Sequence, residues 1–193
     1  MICFRTCDSR IPFFWSVQSG PQQRSARWHL QGEGPVQYLA DTPNGAWAEL
    51  LRHEEIHDAE DLQGLAATLW AIDVELPDPV GATPQLPIET LQGGRGSYGD
   101  CQRAARALRR GGAQAMTAPS AALLPGGASG SLGTDQMQRA RPRDGRVIVI
   151  FGAAPQAVGW RTASPGGPPA DLLDQVRHFI APASAAGVAA GVA

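Results

Sequence analysis

Residues 36–57 read Val36-Gln37-Tyr38-Leu39-Ala40-Asp41-Thr42-Pro43-Asn44-Gly45-Ala46-Trp47-Ala48-Glu49-Leu50-Leu51-Arg52-His53-Glu54-Glu55-Ile56-His57. The first five form a short, largely apolar run behind the turn signal Gly32-Glu33-Gly34-Pro35, which predicts a strand. Asp41-Thr42-Pro43-Asn44 then opens a helix. Thr42 or Asn44 can accept an orphan backbone N–H of the first turn, and Pro43 is tolerated there because it has none to orphan. The helix is expected over about residues 45–57, with Ala46, Leu50 and Leu51 on one side and Arg52, Glu54 and Glu55 toward another.

Outward from this unit, strands are expected at residues 2–5, 69–76 (ended by Pro77), 114–118, 147–151 and 158–161. Val147-Ile148-Val149-Ile150-Phe151 is apolar enough to be central and buried on both faces. A second helix is predicted over residues 97–110, with Ser97 as N-cap, Arg109 and Arg110 at its C-terminus and Gly111 as its stop. A last helix is predicted over residues 171–180. Residues 78–96 and 125–145 are rich in Gly with Pro, Ser or Arg and read as loops. The chain shows no internal repeat. Helices and strands interleave irregularly, which argues a single α+β domain over residues 1–180, with a mixed β-sheet and flanking helices. Residues 181–193, small side chains throughout, are expected to be a disordered tail.

The 193 residues are 43% hydrophobic, enough for one domain to bury a core without a metal or disulfide. Sixteen basic residues against 18 acidic give a formal charge of −2, no general reason to expect nucleic acid or an anionic membrane as partner. Every basic residue is Arg, so a bound phosphate must be held by guanidinium forks or backbone N–H groups. With abundant Ala, Gly and Pro, this bias is associated with GC-rich bacterial genes. Arg103, Arg106, Arg109 and Arg110 line one helix without interleaved aromatics and read as a solvated face. Cys3, Cys7 and Cys101 are read as reduced thiols of a cytoplasmic protein. No run of apolar residues is long enough to span a membrane, and the patch at residues 11–17 is a poor export signal because Pro12 interrupts it.

His53-Glu54-Glu55-Ile56-His57 is a formal match to the zinc-peptidase pattern, in which two His on one helix face hold the ion and the Glu acts as base. Asp58, Asp61 and Gly64 follow quickly, so the helix is expected to end near His57. Glu75 and Glu89 make poor third ligands, on a strand and in a Pro-rich loop. The segment is therefore read as a charged helix end, with no metal expected and a zinc metallopeptidase kept as an alternative.

Phe4-Arg5, Arg27-Trp28, Val36 to Ala40, Ala46-Trp47-Ala48-Glu49 and Pro119-Ser120 occur in an order and spacing that resemble the RES domain, a family named for an Arg, a Glu and a Ser. Arg27, Tyr38 and Glu49 follow one another at equal steps of 11 residues, and the similarity covers about residues 2–180. The resemblance implies a fold similar to diphtheria-toxin-like ADP-ribosyltransferases. It implies NAD⁺ as substrate, cleaved at the nicotinamide–ribose bond by a glycohydrolase, a phosphorylase or an ADP-ribosyltransferase. It implies a toxin whose partner is an antitoxin with an Xre-like helix-turn-helix domain, and family members often pair as homodimers. Residue by residue, Arg5 and Arg27 would hold the pyrophosphate, and Glu49 would stabilise the oxocarbenium-like state. Tyr38 would stack on nicotinamide and reach the ribose, and Ser120 would hydrogen-bond the nicotinamide amide or Glu49. Two departures stand out. The Asn that often follows Arg-Trp is His29 here, and a Gly-rich stretch, residues 126–130, replaces an Asn-rich segment. The second alternative is accordingly a RES-like domain that binds a partner without catalysis.

Overall fold

Thr42 settles how the first helix begins. In extended conformation, it accepts the Gly45 N–H at 3.1 Å through its side chain, and Pro43 follows as the first helical residue. Such a cap contributes about 1 kcal/mol. The structure, a computed structural model, describes residues 1–8, 14–75, 82–133, 138–154 and 156–180. The expected tail at residues 181–193 lies outside them. The elements are β1 (Ile2–Cys7), β2 (Val36–Ala40), α1 (Pro43–Glu54), α2 (Ala59–Leu62), β3 (Ala67–Asp73), α3 (Ile88–Gln92), α4 (Tyr98–Arg110), β4 (Ala115–Pro119), β5 (Ser131–Leu132), β6 (Gln138–Arg139), β7 (Arg146–Phe151) and β8 (Val158–Gly166), with short 3-10 turns between some of them.

Six strands form one sheet in the order β4-β7-β2-β1-β3-β8. The α+β class stands. The expected mixture of strand directions does not, because every pairing in this sheet is antiparallel. β7 lies between β4 and β2 with Val147 to Ile150 buried, as its apolar run predicts.

The sheet has a seam. β2 pairs with β7 along its whole length, and β1 pairs with β3 along its whole length. β1 and β2 meet through one register pair, Phe4 with Ala40. On one face, α1 packs through Trp47, Ala48 and Leu51 against a cluster that includes Leu69, Leu123 and Leu172. Cys101 and Ala105 of α4 pack with Trp28, Val36 and Met116 in a second cluster. The opposite face carries Cys3, Leu39, Ile72, Ile148 and Ile150. The alternation of β7, with Val147 and Val149 in one cluster and Ile148 and Ile150 in another, follows from the two-residue period of a strand.

Several boundaries differ from expectation. α1 ends at Glu54 because Glu55 takes a left-handed conformation (φ 51°, ψ 44°). The Glu55 and Ile56 amides both fold back onto the Leu51 carbonyl, and Ile56 is drawn into the core. Ser97 makes no side-chain cap on α4; its hydroxyl donates to the Gly94 carbonyl. Residues 88–92 form α3 within the stretch read as loop. The expected last helix is a 3-10 turn over Ala170–Gln175. It stops because Val176 bridges to Leu123, with Leu124 N–H donating to Gln175 O and Arg177 N–H to Ala122 O. Strand-like pairing of a β-branched residue outcompetes a further helical turn there. No helix is long and apolar enough to cross a membrane among the described residues, and Cys3, Cys7 and Cys101 form no disulfide with one another.

Candidate active site

A cavity of about 520 Å³ opens where β1 and β2 part, with α1 on one side and the start of α4 on the other. Phe4 and Arg5 both line it. Neighbours on a strand point to opposite faces, so a cavity that reaches both must enter the seam between strands. From α1 come Ala46, Glu49, Leu50 and His53, the i, i+3, i+4, i+7 stripe of one helical face. Arg27, Tyr38, Arg52, Tyr98 and Phe179 are among the charged and aromatic residues that line the rest of it.

The structure thus brings Arg5, Arg27, Tyr38 and Glu49 together, although they are spread over 45 residues of chain. Their environments differ. Arg5 is half-buried, burial pushes its guanidinium pKa down, and its Nη1 has no hydrogen-bond partner among the described residues. Arg27 is buried and already occupied: it donates to Ser97 Oγ (3.1 Å), Gly93 O (2.6 Å) and Thr90 O (3.4 Å), and lies over the Tyr98 ring at 4.7 Å. The pyrophosphate role expected of Arg27 has to share the guanidinium with this anchoring. The Tyr38 hydroxyl accepts the Trp28 N–H at 3.0 Å and meets His29 Nδ1 at 2.9 Å, so it holds the Arg27-Trp28-His29 segment in place. Burial pushes its pKa up, and that of His29 down. The hydroxyl is therefore a neutral tether, and the ring is what Tyr38 offers the cavity. Glu49 is about one-third exposed, with His53 Nε2 3.8 Å from its carboxylate.

Ser120 stands apart. Its hydroxyl oxygen accepts the Ala122 and Leu123 amides, both at 3.2 Å, and the residue borders a different hollow beside β4 and Asp144. Its neighbours Pro119 and Ala121 line the cavity, so Ser120 shapes the turn that presents them. The expected bond from Ser120 to Glu49 is not formed.

Arg52 is the residue that the sequence reading put on the wrong side of α1. It is 2% exposed, donates to Gly93 O at 3.0 Å, and leaves Nε and Nη1 without a partner among the described residues. Burial pushes its pKa down, against the pull of Glu49. Its guanidinium stacks on Phe179 at 4.3 Å. Arg27 and Arg52 thus converge on one carbonyl, and Gly93 permits it: a Cβ there would lie 2.6 Å from Glu89 O and 3.0 Å from Ser97 Oγ. Three guanidiniums, two of them with unused buried donors among the described residues, share one cavity with the Glu49 carboxylate. Unused guanidinium donors suit an anion, and a carboxylate beside them suits a centre of developing positive charge.

The zinc-peptidase geometry is absent. Glu55 breaks the helix between His53 and His57, so the two imidazoles do not share a face. His53 edges the cavity beside Glu49, and His57 stacks on His178 instead, ring centroids 4.0 Å apart.

The RES domain model matches residues 3–172. The chain belongs to the RES family. Within that family, the Pseudomonas putida protein named Toxin Res is 44% identical over 69 residues, which cover 36% of this chain and 43% of that toxin. The match thus spans less than half of the toxin's length. In shape, this RES domain resembles a chain in the crystal structure of the M. tuberculosis MbcT–MbcA toxin–antitoxin complex. The TM-score is 0.52 at 19% identity, over 83% of this chain and 84% of that one. At that identity the likeness speaks for the fold.

Proposed function

We propose that this RES domain is an NAD⁺-consuming enzyme of the toxin type, cleaving the nicotinamide–ribose bond in the cavity at the β1–β2 seam. The observation that supports this most is the convergence there of Glu49 with Arg5, Arg27 and Arg52, the latter carrying unused buried donors. A dinucleotide brings two pyrophosphate charges for guanidiniums to neutralise. Arg5 and Arg52 have donors to spare and are the better holders; Arg27 positions Gly93 and Tyr98 beside them. The cavity volume falls within the range of small-molecule sites.

Bond cleavage leaves the electron pair on the pyridine nitrogen, which becomes neutral, and positive charge on the ribose carbon. A carboxylate near that carbon stabilises the charge as it forms and can orient the acceptor. Glu49 has that role. With water as acceptor the products are nicotinamide, ADP-ribose and a proton. Phosphate or a protein side chain would take the ADP-ribose by the same cleavage. Tyr38 and Tyr98 supply ring faces for the nicotinamide or adenine. The relatives named as a toxin and as a toxin–antitoxin complex support a protein antitoxin as partner.

Incubating purified protein with NAD⁺, with and without inorganic phosphate, tests this. NAD⁺ loss with stoichiometric nicotinamide release is expected. Phosphate dependence would name phosphate as acceptor. NAD⁺ that survives both conditions and candidate protein acceptors would leave the reading without support.

A further inference from the structure

We propose that Glu55, His57 and His178 form a transition-metal site that staples the end of α1 to the C-terminal segment. One ligand atom from each of these residues lies within 4.8 Å of the other two. His57 Nε2 is 3.0 Å from Glu55 Oε2, and His178 Nδ1 is 3.9 Å from it. In a tetrahedral zinc site with bonds of 2.0–2.1 Å, ligand atoms stand roughly 3.3 Å apart. Binding an ion requires the stacked His57 and His178 rings to rotate so that both point a nitrogen at it.

The site stands independently of the proposed reaction, and unsatisfied buried atoms carry it. Glu55 Oε2, His57 Nδ1 and His178 Nδ1 are all buried with no hydrogen-bond partner among the described residues. The His178 side chain is only 6% exposed. Glu55 Oε2 and His57 Nε2 stand at ion-pair distance, while the buried His178 Nδ1 lies beyond hydrogen-bond reach of that oxygen and is left unsatisfied, which is unusual for a buried polar atom. The backbone serves the same convergence. Glu55 is the non-glycine residue with positive φ among those described, a conformation that costs free energy and persists where surroundings enforce it. That turn ends α1 and brings Glu55 and His57 round to His178. On the other side, Arg177 N–H bonds Ala122 O at 2.7 Å, which fixes the segment that carries His178.

Two imidazoles and one carboxylate suit zinc or a similar borderline ion, whereas magnesium and calcium prefer oxygen alone. A fourth position is left for water. The residue after His178 is Phe179, which walls the cavity and stacks on Arg52. An ion here would fix that wall. The zinc-like motif in the sequence thus contributes its second His to a different set of ligands.

Untagged protein titrated with Zn²⁺ by calorimetry should bind one ion per chain. At a hundred-fold excess over Kd, Tm should rise by roughly 5–10 °C. His178→Ala should lose both effects, and His53→Ala should keep them. Glu55→Gly is the second variant, since glycine suits the left-handed position: it should fold at least as stably without metal, yet gain much less from zinc. No binding below about 100 μM zinc would overturn the proposal. So would zinc stabilisation that survives His178→Ala and Glu55→Gly undiminished, or that disappears in His53→Ala instead.

Discussion

Tyr38 and Glu49 reach the cavity from the middle of a strand and the middle of a helix. Tyr98 and Phe179 reach it from the first residue of α4 and from coil beyond the last 3-10 turn. The first wall is held by sheet pairing and by the packing of α1, both of which exist whatever Glu49 does. The second wall is held by the guanidiniums themselves, through two bonds to the Gly93 carbonyl and rings stacked at 4.7 Å and 4.3 Å. Side chains on the regular wall are therefore free to specialise in chemistry. Those that build the irregular wall act on binding and on stability together.

Substitutions separate the two kinds of wall. The largest effect is expected for Glu49→Gln, a fall in NAD⁺ turnover of at least about 100-fold with an unchanged Tm, read by nicotinamide release beside thermal unfolding. Next comes Arg5→Met. Loss of a charged hydrogen bond to the pyrophosphate should weaken NAD⁺ binding about 10–100-fold. Tm should hold or rise, because a half-buried guanidinium whose Nη1 lacks a partner among the described residues is replaced by an apolar chain of similar volume. A lowered Tm would mean that Arg5 serves the fold. Arg27→Ala should do the reverse of Glu49→Gln in kind. It strips bonds to Ser97 and Gly93 and should cost about 3 kcal/mol, or roughly 5–10 °C in Tm, with activity lost as a consequence. An unchanged melting curve would move Arg27 to the chemical wall.

The smallest effect is in pH. Burial holds the His29 pKa below its ordinary 6.5, so the unfolded chain binds more protons in that region. Stability from keeping His29 neutral is full above about pH 6.5 and is lost as pH falls below it. His29→Asn should flatten that part of the pH–Tm profile. A parallel profile would show that another group governs it.

The regular wall was legible in the sequence. Strand and helix periods, the Thr42-Pro43 start and the ordered motifs place Arg5, Tyr38 and Glu49 on elements that the structure contains. The irregular wall left no such signal. Arg52 is a charged residue on a helix, and periodicity assigns it to solvent; only the guanidinium of Arg27, the glycine at 93 and the ring of Phe179 make its burial tenable. Tyr98 and Phe179 enter through long-range contacts that no local pattern encodes. Ser120 was visible as part of a motif, but its backbone-bonded hydroxyl could not be read from the residue type. The end of α1 at Glu55 was equally hidden, because left-handed caps are usually glycine or asparagine.

The central claim is that the seam cavity binds NAD⁺ through its guanidiniums, with Glu49 needed for cleavage and not for binding. Calorimetry of NAD⁺ with the Glu49→Gln variant isolates that claim, since the ligand survives the measurement. Saturable binding at one site per chain, weakened about 10–100-fold by adding Arg5→Met, is the predicted result. No heat of binding in Glu49→Gln, together with NAD⁺ left intact by the unmodified chain, would contradict it.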